Sequence, residues 1–506
     1  MRHLIPFAAL LGVACGGASD SPSGTTITNV RIVDGTGAPS RLGAVRIVGD
    51  TIVAVGDIAP ESGDSVVDGG GLTLAPGFID THSHHDRGLL STPEAVGAVS
   101  QGITTIIAGQ DGGHPMPLSR AIDTTVRVRP SINVAFYAGH NSIRSAVMGS
   151  DFKRPATSAE VDSMAAILTR ELEAGALGLA TGLEYDPGIN SDRAEVIALA
   201  KVAAAAGGRY ISHIRSEDRW FWEAIDEIIA VGREAGLPVQ ISHVKLAMTP
   251  LWGKADSLIR ILDAARASGI DITADIYPYP YWQSTLQVLF PARNFDDRRE
   301  AERVLREIAP AEGLLIGDFA ANPEYAGKTV AEIAVVRNEA PAVTLLALIK
   351  ESIAWEQANP GRGGESVVGT SMSEPDIAAL MAWAHTNFCS DGSLSGAHPR
   401  GFGSYTRVLG RYVREQKVLT LETAIRKMTS LAAQHVGLTR RGTIAPGYFA
   451  DLVLFDPGTV IDNATPASPH LISTGIERVW VNGQTVWAAG AVTAHRPGRV
   501  LLRQAQ

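Results

Sequence analysis

Polar residues close apolar, β-like runs at a nearly constant interval along the middle of this chain, and that interval constrains its architecture more than any other feature. Asp111 follows His82 by 29 residues, His140 follows Asp111 by 29, His213 follows Glu184 by 29, His243 comes 30 later and Asp275 another 32 later. A strand, its loop and a crossover helix together take about 30 residues. The wider step of 44 residues from His140 to Glu184 leaves room for a longer loop around Met148 to Ala156. Asp391, after the run Thr386-Asn387-Phe388-Cys389-Ser390, supplies an eighth end. Eight such units predict an α/β fold, a (β/α)8 TIM barrel whose C-terminal strand ends share one rim and carry the chemistry. Helices are expected at Ser158 to Glu173, with Ser158 as N-cap, and at Asp192 to Ala206 and Asp218 to Ala235. Between Asp275 and Asp391 lie more residues than one unit needs, which predicts an insertion at about 291–362 over the mouth.

The two ends of the chain read differently. Residues 25–75 and 441–506 contain short β-like runs punctuated by turns, among them the hairpin signal Asn482-Gly483. Joined, they predict a small β-sandwich built from both termini, leaving 76–440 for the barrel. Residues 1–24 read as a signal peptide and tether: a basic start, an apolar run of about ten residues too short to span a bilayer, then Cys15 and a Gly/Ser-rich stretch. Leu11-Gly12-Val13-Ala14-Cys15 resembles a bacterial lipoprotein cleavage site, although Gly12 stands where such sites usually carry Leu. The expectation is an exported protein, periplasmic or membrane-anchored through lipidated Cys15, with an ordinary cleaved signal as the alternative.

The chemistry concentrates at the predicted rim. In Phe78-Ile79-Asp80-Thr81-His82-Ser83-His84-His85, alternation along an extended strand points His82 and His84 the same way and His85 the other. Two imidazoles converging on one side suit a divalent metal. His213 and His243 each end a β-like run in Ser-His, and with the first pair they make a four-imidazole cluster. Asp391 is placed to bind that metal or to take a proton from its water. Glu184 and Asp111 each either cap a turn or bridge two metals. Arg400, nine residues after Asp391, falls near the same mouth.

Composition narrows the partners. A formal net charge of −9 leaves no basic footprint for nucleic acid, so a small-molecule substrate is expected. Two cysteines exclude a disulfide framework and any Cys-based zinc ribbon. Nothing in the sequence bears on oligomeric state.

Taken together, these motifs resemble the amidohydrolase superfamily, and within it the N-acyl-D-amino-acid deacylases (D-aminoacylases). The resemblance runs from Thr26 to Val500. It is carried by Pro76-Gly77-Phe78-Ile79-Asp80-Thr81-His82-Ser83-His84, Ser212-His213-Ile214-Arg215, Ile241-Ser242-His243-Val244-Lys245, Asp275-Ile276-Tyr277-Pro278-Tyr279, Ser390-Asp391-Gly392, His398-Pro399-Arg400 and the run Gly442 to Val453. It implies zinc, as one or two divalent ions, held by His213 and His243, with a second metal position at His82 and His84. It implies Asp391 as catalytic acid/base, and Lys245, Tyr277 and Arg400 around the substrate carboxylate. Many such deacylases carry cysteine at the second strand where this chain has Asp111, which leaves the bridge to Asp111 or to Glu184.

The implied reaction is hydrolysis of the amide bond of N-acyl-D-amino acids or related small amides. Cyclic-amide hydrolases usually bridge their metals with a carbamylated lysine from the fourth strand, and no lysine lies between Arg170 and Lys201. A dipeptidase of the same superfamily is the nearer alternative. A non-catalytic solute-binding lipoprotein is the remaining one, and the assembled ligands argue against it. Selectivity for D over L rests on the resemblance alone.

Overall fold

The computed structural model describes residues 23–504. The proposed signal peptide and the lipidation at Cys15 lie outside the described residues. No helix among those described is long and apolar enough to cross a membrane.

The predicted repeat of strand and helix is present as two parallel sheets. One runs through Phe78–Asp80, Ile103–Ala108 and Asn133–Phe136, the other through Ala138–Gly139, Gly178–Gly182, Arg209–His213, Val239–Ile241, Ile272–Ile276 and Thr386–Phe388. All neighbouring strands pair in parallel. Such pairing requires a crossover for each strand and buries both faces, so the strands read as continuous apolar runs. Ile103–Ala108 is buried at every position. The two sheets follow directly on one another at Tyr137, whose N–H donates to the Ala108 carbonyl at 2.9 Å.

At the opposite seam no ladder joins Thr386–Phe388 to Phe78–Asp80. There the Asp80 carboxylate accepts from the backbone N–H of Ser390 (2.8 Å) and from its hydroxyl (2.5 Å), and the Asp391 N–H donates to the His82 carbonyl at 2.9 Å. These bonds fix the loop after the last strand against the loop after the first. They bring Asp391 beside His82 although the two are over 300 residues apart in sequence.

The helices stand close to their expected places, with instructive shifts at their starts. The helix Ser158–Glu173 is capped by Thr157 in a reciprocal capping box with Glu160, so Ser158 is its first helical residue and not its cap. Asp192 caps Arg193–Ala205 as expected. The third helix begins only at Phe221, because Ser216 and Asp218 hydrogen-bond to each other and to the backbone of Arg219 and Trp220.

Between the seventh strand and Thr386–Phe388, the strands Tyr281–Ser284, Glu365–Thr370 and Leu314–Phe319 form an antiparallel sheet that brackets the 291–362 segment. The helices Arg298–Glu307 and Pro341–Ala358 pack on each other beside it. This insert reaches the parallel strands' mouth through its first strand: His398 shares a hydrogen bond with the Tyr281 carbonyl at 2.8 Å.

Strands from both ends of the described chain meet in one nine-stranded sheet. The joint is antiparallel pairing of Thr73–Pro76 with Leu452–Phe455. Asn482 and Gly483 take φ of 46° and 78°, the left-handed pair that a two-residue hairpin turn requires. Asp451 ties this sheet to the parallel strands: it pairs with Arg441, accepts from the Asn482 N–H at 2.8 Å, and accepts from the Asn133 amide at 3.3 Å.

Candidate metal and active site

Each expected metal-binding residue, and Asp391, stands at or just beyond the C-terminal end of a parallel strand, whereas Arg400 opens the helix Arg400–Arg407. His82 and His84 follow Phe78–Asp80, Asp111 follows Ile103–Ala108, Glu184 follows Gly178–Gly182, His213 ends Arg209–His213, His243 follows Val239–Ile241 and Asp391 follows Thr386–Phe388. Asp111, His243 and Asp391 carry φ of 53°, 34° and 48°. Non-glycine residues in this region are held there against a local backbone preference, which concentrates at functional sites.

Two ligand sets share one carboxylate. His82, His84, Asp111 and Asp391 form the first, and Asp111, His213 and His243 the second, with the donor atoms of each set within 4.8 Å of one another. Asp111 Oδ2 lies 3.0 Å from His84 Nε2, and Asp111 Oδ1 lies 3.3 Å from His82 Nε2 and 3.5 Å from His243 Nε2. Asp391 Oδ1 approaches His84 Nε2 to 3.3 Å and His82 Nε2 to 3.5 Å. Both ring nitrogens of buried His82, and Asp111 Oδ1, have no hydrogen-bond partner. Buried polar atoms are almost always satisfied, so a set of convergent, unsatisfied imidazole and carboxylate atoms fits a divalent cation.

Glu184 contacts the second set from behind. Its Oε2 lies 2.9 Å from His213 Nε2, whereas His213 Nδ1 faces His243 Nε2 at 3.1 Å and Asp111 Oδ1 at 4.0 Å. Glu184 therefore meets the edge of the His213 ring away from Asp111, where Glu184, His213 and Glu217 form a third group whose donor atoms lie within 4.8 Å of one another. Burial, with Asp218 and Glu217 nearby, pushes the Glu184 carboxyl well above its ordinary range.

One participant is absent from the sequence reading. Glu217 Oε1 lies 2.5 Å from Lys245 Nζ and 3.0 Å from His243 Nδ1, and Lys245 Nζ lies 2.8 Å from the same Nδ1, so Glu217 and Lys245 together meet the outer edge of the His243 ring. Burial opposes its charge, but Lys245 and the two imidazoles hold its carboxyl well below the usual range. The available signal was Lys245 itself, since a lysine buried at a strand end needs a carboxylate partner.

The side of Asp391 away from the imidazoles is cationic and aromatic. Arg400 Nη1 lies 2.6 Å from Asp391 Oδ2. Its guanidinium sits over the Tyr277 ring at 4.9 Å, with Lys245 Nζ 5.5 Å from the same ring. Arg400 Nε and the Tyr277 hydroxyl are buried without partners, and both residues line a cavity with His243, Lys245 and Asp391. Burial alone would raise the Asp391 carboxyl, but Arg400, His243, His84 and His82 hold it well below its ordinary range. Asp391 thus presents one oxygen to the imidazoles and the other to Arg400. His140, the remaining histidine at a strand end, turns away: its Nε2 lies 2.8 Å from Glu195 in a buried cluster with Arg144.

Comparison with known proteins bears on this geometry. A family model described as an amidohydrolase family matches residues 65–383 and 378–487. The N-acyl-D-glutamate deacylase of Alcaligenes xylosoxydans xylosoxydans is 39% identical over 498 residues, covering 94% of this chain and 95% of that protein. The crystal structure of N-acyl-D-glutamate deacylase from Bordetella bronchiseptica, complexed with zinc and a phosphonate inhibitor that mimics the tetrahedral intermediate, matches with a TM-score of 0.85 at 34% identity, covering 96% of this chain and 100% of that one. A D-aminoacylase structure concerned with its binuclear metal centre, one-metal activation and second-metal attenuation, matches with a TM-score of 0.84 at 33% identity, over 96% of this chain and 100% of that one.

Proposed function

Because the chain belongs to the amidohydrolase family, in its N-acyl-D-amino-acid deacylase branch, we propose that it hydrolyses the amide bond of N-acyl-D-amino acids with one or two zinc ions. The observation that carries this reading is the juxtaposition of Asp391 with the histidine–Asp111 cluster on one side and Arg400 on the other, 2.6 Å away.

In this reading one metal ion would be held by His82 and His84 and a second by His213 and His243, with Asp111, which belongs to both sets, available to either. Glu184 and Glu217 orient His213 and His243 from their outer edges. Zinc held there would lower the pKa of a bound water to about 7 and polarise the scissile carbonyl. Asp391 accepts the proton of the attacking water and returns it to the leaving amine. Arg400 presents a planar fork to the carboxylate of the amino-acid half, with Lys245 and the Tyr277 hydroxyl as further donors. The unpartnered Arg400 Nε and Tyr277 hydroxyl support that assignment.

The same proposal takes the two parallel sheets as one closed (β/α)8 barrel over about 76–440. The direct succession of the sheets at Tyr137 and the Asp80–Ser390 bonds at the other seam support it. It takes the nine-stranded sheet, from 25–75 and 441–506, as a β-sandwich around the apolar cluster of Ile27, Val45, Leu74 and Trp480.

Purified protein is tested on N-acetyl-D-amino acids with apolar and acidic side chains and on dipeptides ending in the same residues. Turnover of the N-acetyl compounds is expected. Turnover confined to dipeptides would keep the metal site and Asp391 but make the enzyme a peptidase.

A further inference from the structure

The parallel strands have a second polar end. Arg209–His213, Val239–Ile241 and Ile272–Ile276 carry metal-site residues at or beyond their C-terminal ends, while their N-terminal ends open into a separate cavity. The helices Leu421–Met428 and Ser430–Val436 contribute to its wall. Its lining includes three arginines, Arg209, Arg266 and Arg426, and two uncharged imidazoles, His385 and His435, the latter with its Nδ1 2.7 Å from Asn387 Oδ1.

Three guanidiniums face this space against one lining carboxylate. Arg266 pairs with Asp271 at 3.0 Å, and that Asp271 is about half exposed. Arg209 spends one N–H on the His435 carbonyl at 3.1 Å, and among the described residues neither Arg209 nor Arg426 forms an ion pair. In a chain with a formal net charge of −9, this is a concentrated patch of the opposite sign. The neighbouring groups register the field. Burial and then Arg209, His385, Lys427 and Arg266 push His435 down to about 3, and burial and then Arg426 push Lys427 down to about 7. Like charges gathered in a partly enclosed space repel one another, and an anion between them removes that repulsion.

We propose that this cavity binds a phosphate-class oxyanion at a site separate from the metal centre. Guanidinium forks carried by the strand Arg209–His213, the helix Ala255–Ala267 and the helix Leu421–Met428 suit a tetrahedral oxyanion, which offers acceptor atoms in several directions. None of the lining residues touches the histidine–carboxylate cluster, so the site stands whether or not the proposed activity does.

Zinc-loaded protein titrated calorimetrically with inorganic phosphate at fixed ionic strength tests this. One site is expected whose affinity falls by about tenfold or more in Arg426→Gln and in Arg209→Gln, while Arg400→Met leaves it unchanged. Arg426→Gln is expected to keep the turnover of the unaltered enzyme. No binding, or binding that weakens in Arg400→Met and not in the two cavity variants, overturns the proposal. Should both cavity variants fail to fold, crystals of the unaltered holoenzyme soaked in tungstate decide the matter. An anomalous peak among Arg209, Arg266 and Arg426 is expected, and peaks confined to the metal centre or the outer surface contradict it.

Discussion

Asp391→Asn is expected to keep its metal and lose turnover by about a thousandfold, the middle of the range that general acid–base catalysis contributes. Asparagine preserves the shape and retains an oxygen for the imidazole side, where Asp391 Oδ1 stands 3.3 Å from His84 and 3.5 Å from His82. What disappears is the ionised oxygen that Arg400 and the histidines stabilise against burial. Metal content measured on the same sample as kcat separates the two roles. Loss of metal together with activity would make Asp391 a ligand first, and full activity would remove it from the mechanism.

Arg400→Met is expected to reduce kcat/KM by about a thousandfold, most of it as a rise in KM. Removing one member of a buried charge pair costs about 2–5 kcal/mol, and the partner left behind carries much of that. Here Arg400 serves two carboxylates, Asp391 at 2.6 Å and, in the proposed complex, that of the substrate. The KM part reports the second role. Arg400→Lys is expected to recover only part of the loss, because an ammonium is a point charge and cannot reproduce a fork stacked on Tyr277 at 4.9 Å. A variant with altered kcat and unchanged KM would confine Arg400 to holding Asp391.

The candidate metal ligands were legible because a βα unit has a fixed length and because His-x-His at a strand end turns two imidazoles to one side. The same reasoning placed Asp111 and Asp391, whose neighbours in space are set by strand order. It stopped short where a choice between two edges of one ring decides a role. Glu184 and Asp111 looked equivalent as bridges until His213 was seen to meet Glu184 at Nε2 and Asp111 at Nδ1. Glu217 escaped because its partners, Lys245 and His243, come from the next strand's end, 28 and 26 residues away. His140 shows the converse: the right interval and residue type, but a side chain taken up by Glu195.

In the fold, helix starts were read to within three residues and the union of the two chain ends was expected, but the strand pairings that make it were not. Ser158 and Thr157 are both good caps, and only the reciprocal bond to Glu160 selects Thr157. The pairing of Thr73–Pro76 with Leu452–Phe455 joins segments almost 380 residues apart, and nothing in either segment names the other. The insert's sheet is similar, since its strands Tyr281–Ser284 and Glu365–Thr370 pair across the whole inserted segment.

The central claim is a metal-dependent hydrolase selective for N-acyl-D-amino acids, and one titration tests it most directly. Protein stripped of metal by chelation is assayed on the two enantiomers of one N-acetyl amino acid as zinc is returned stepwise. The account predicts no turnover without metal, recovery saturating at one or two zinc ions per chain, and hydrolysis of the D enantiomer alone. Activity that survives complete metal removal, or equal hydrolysis of both enantiomers, would contradict it.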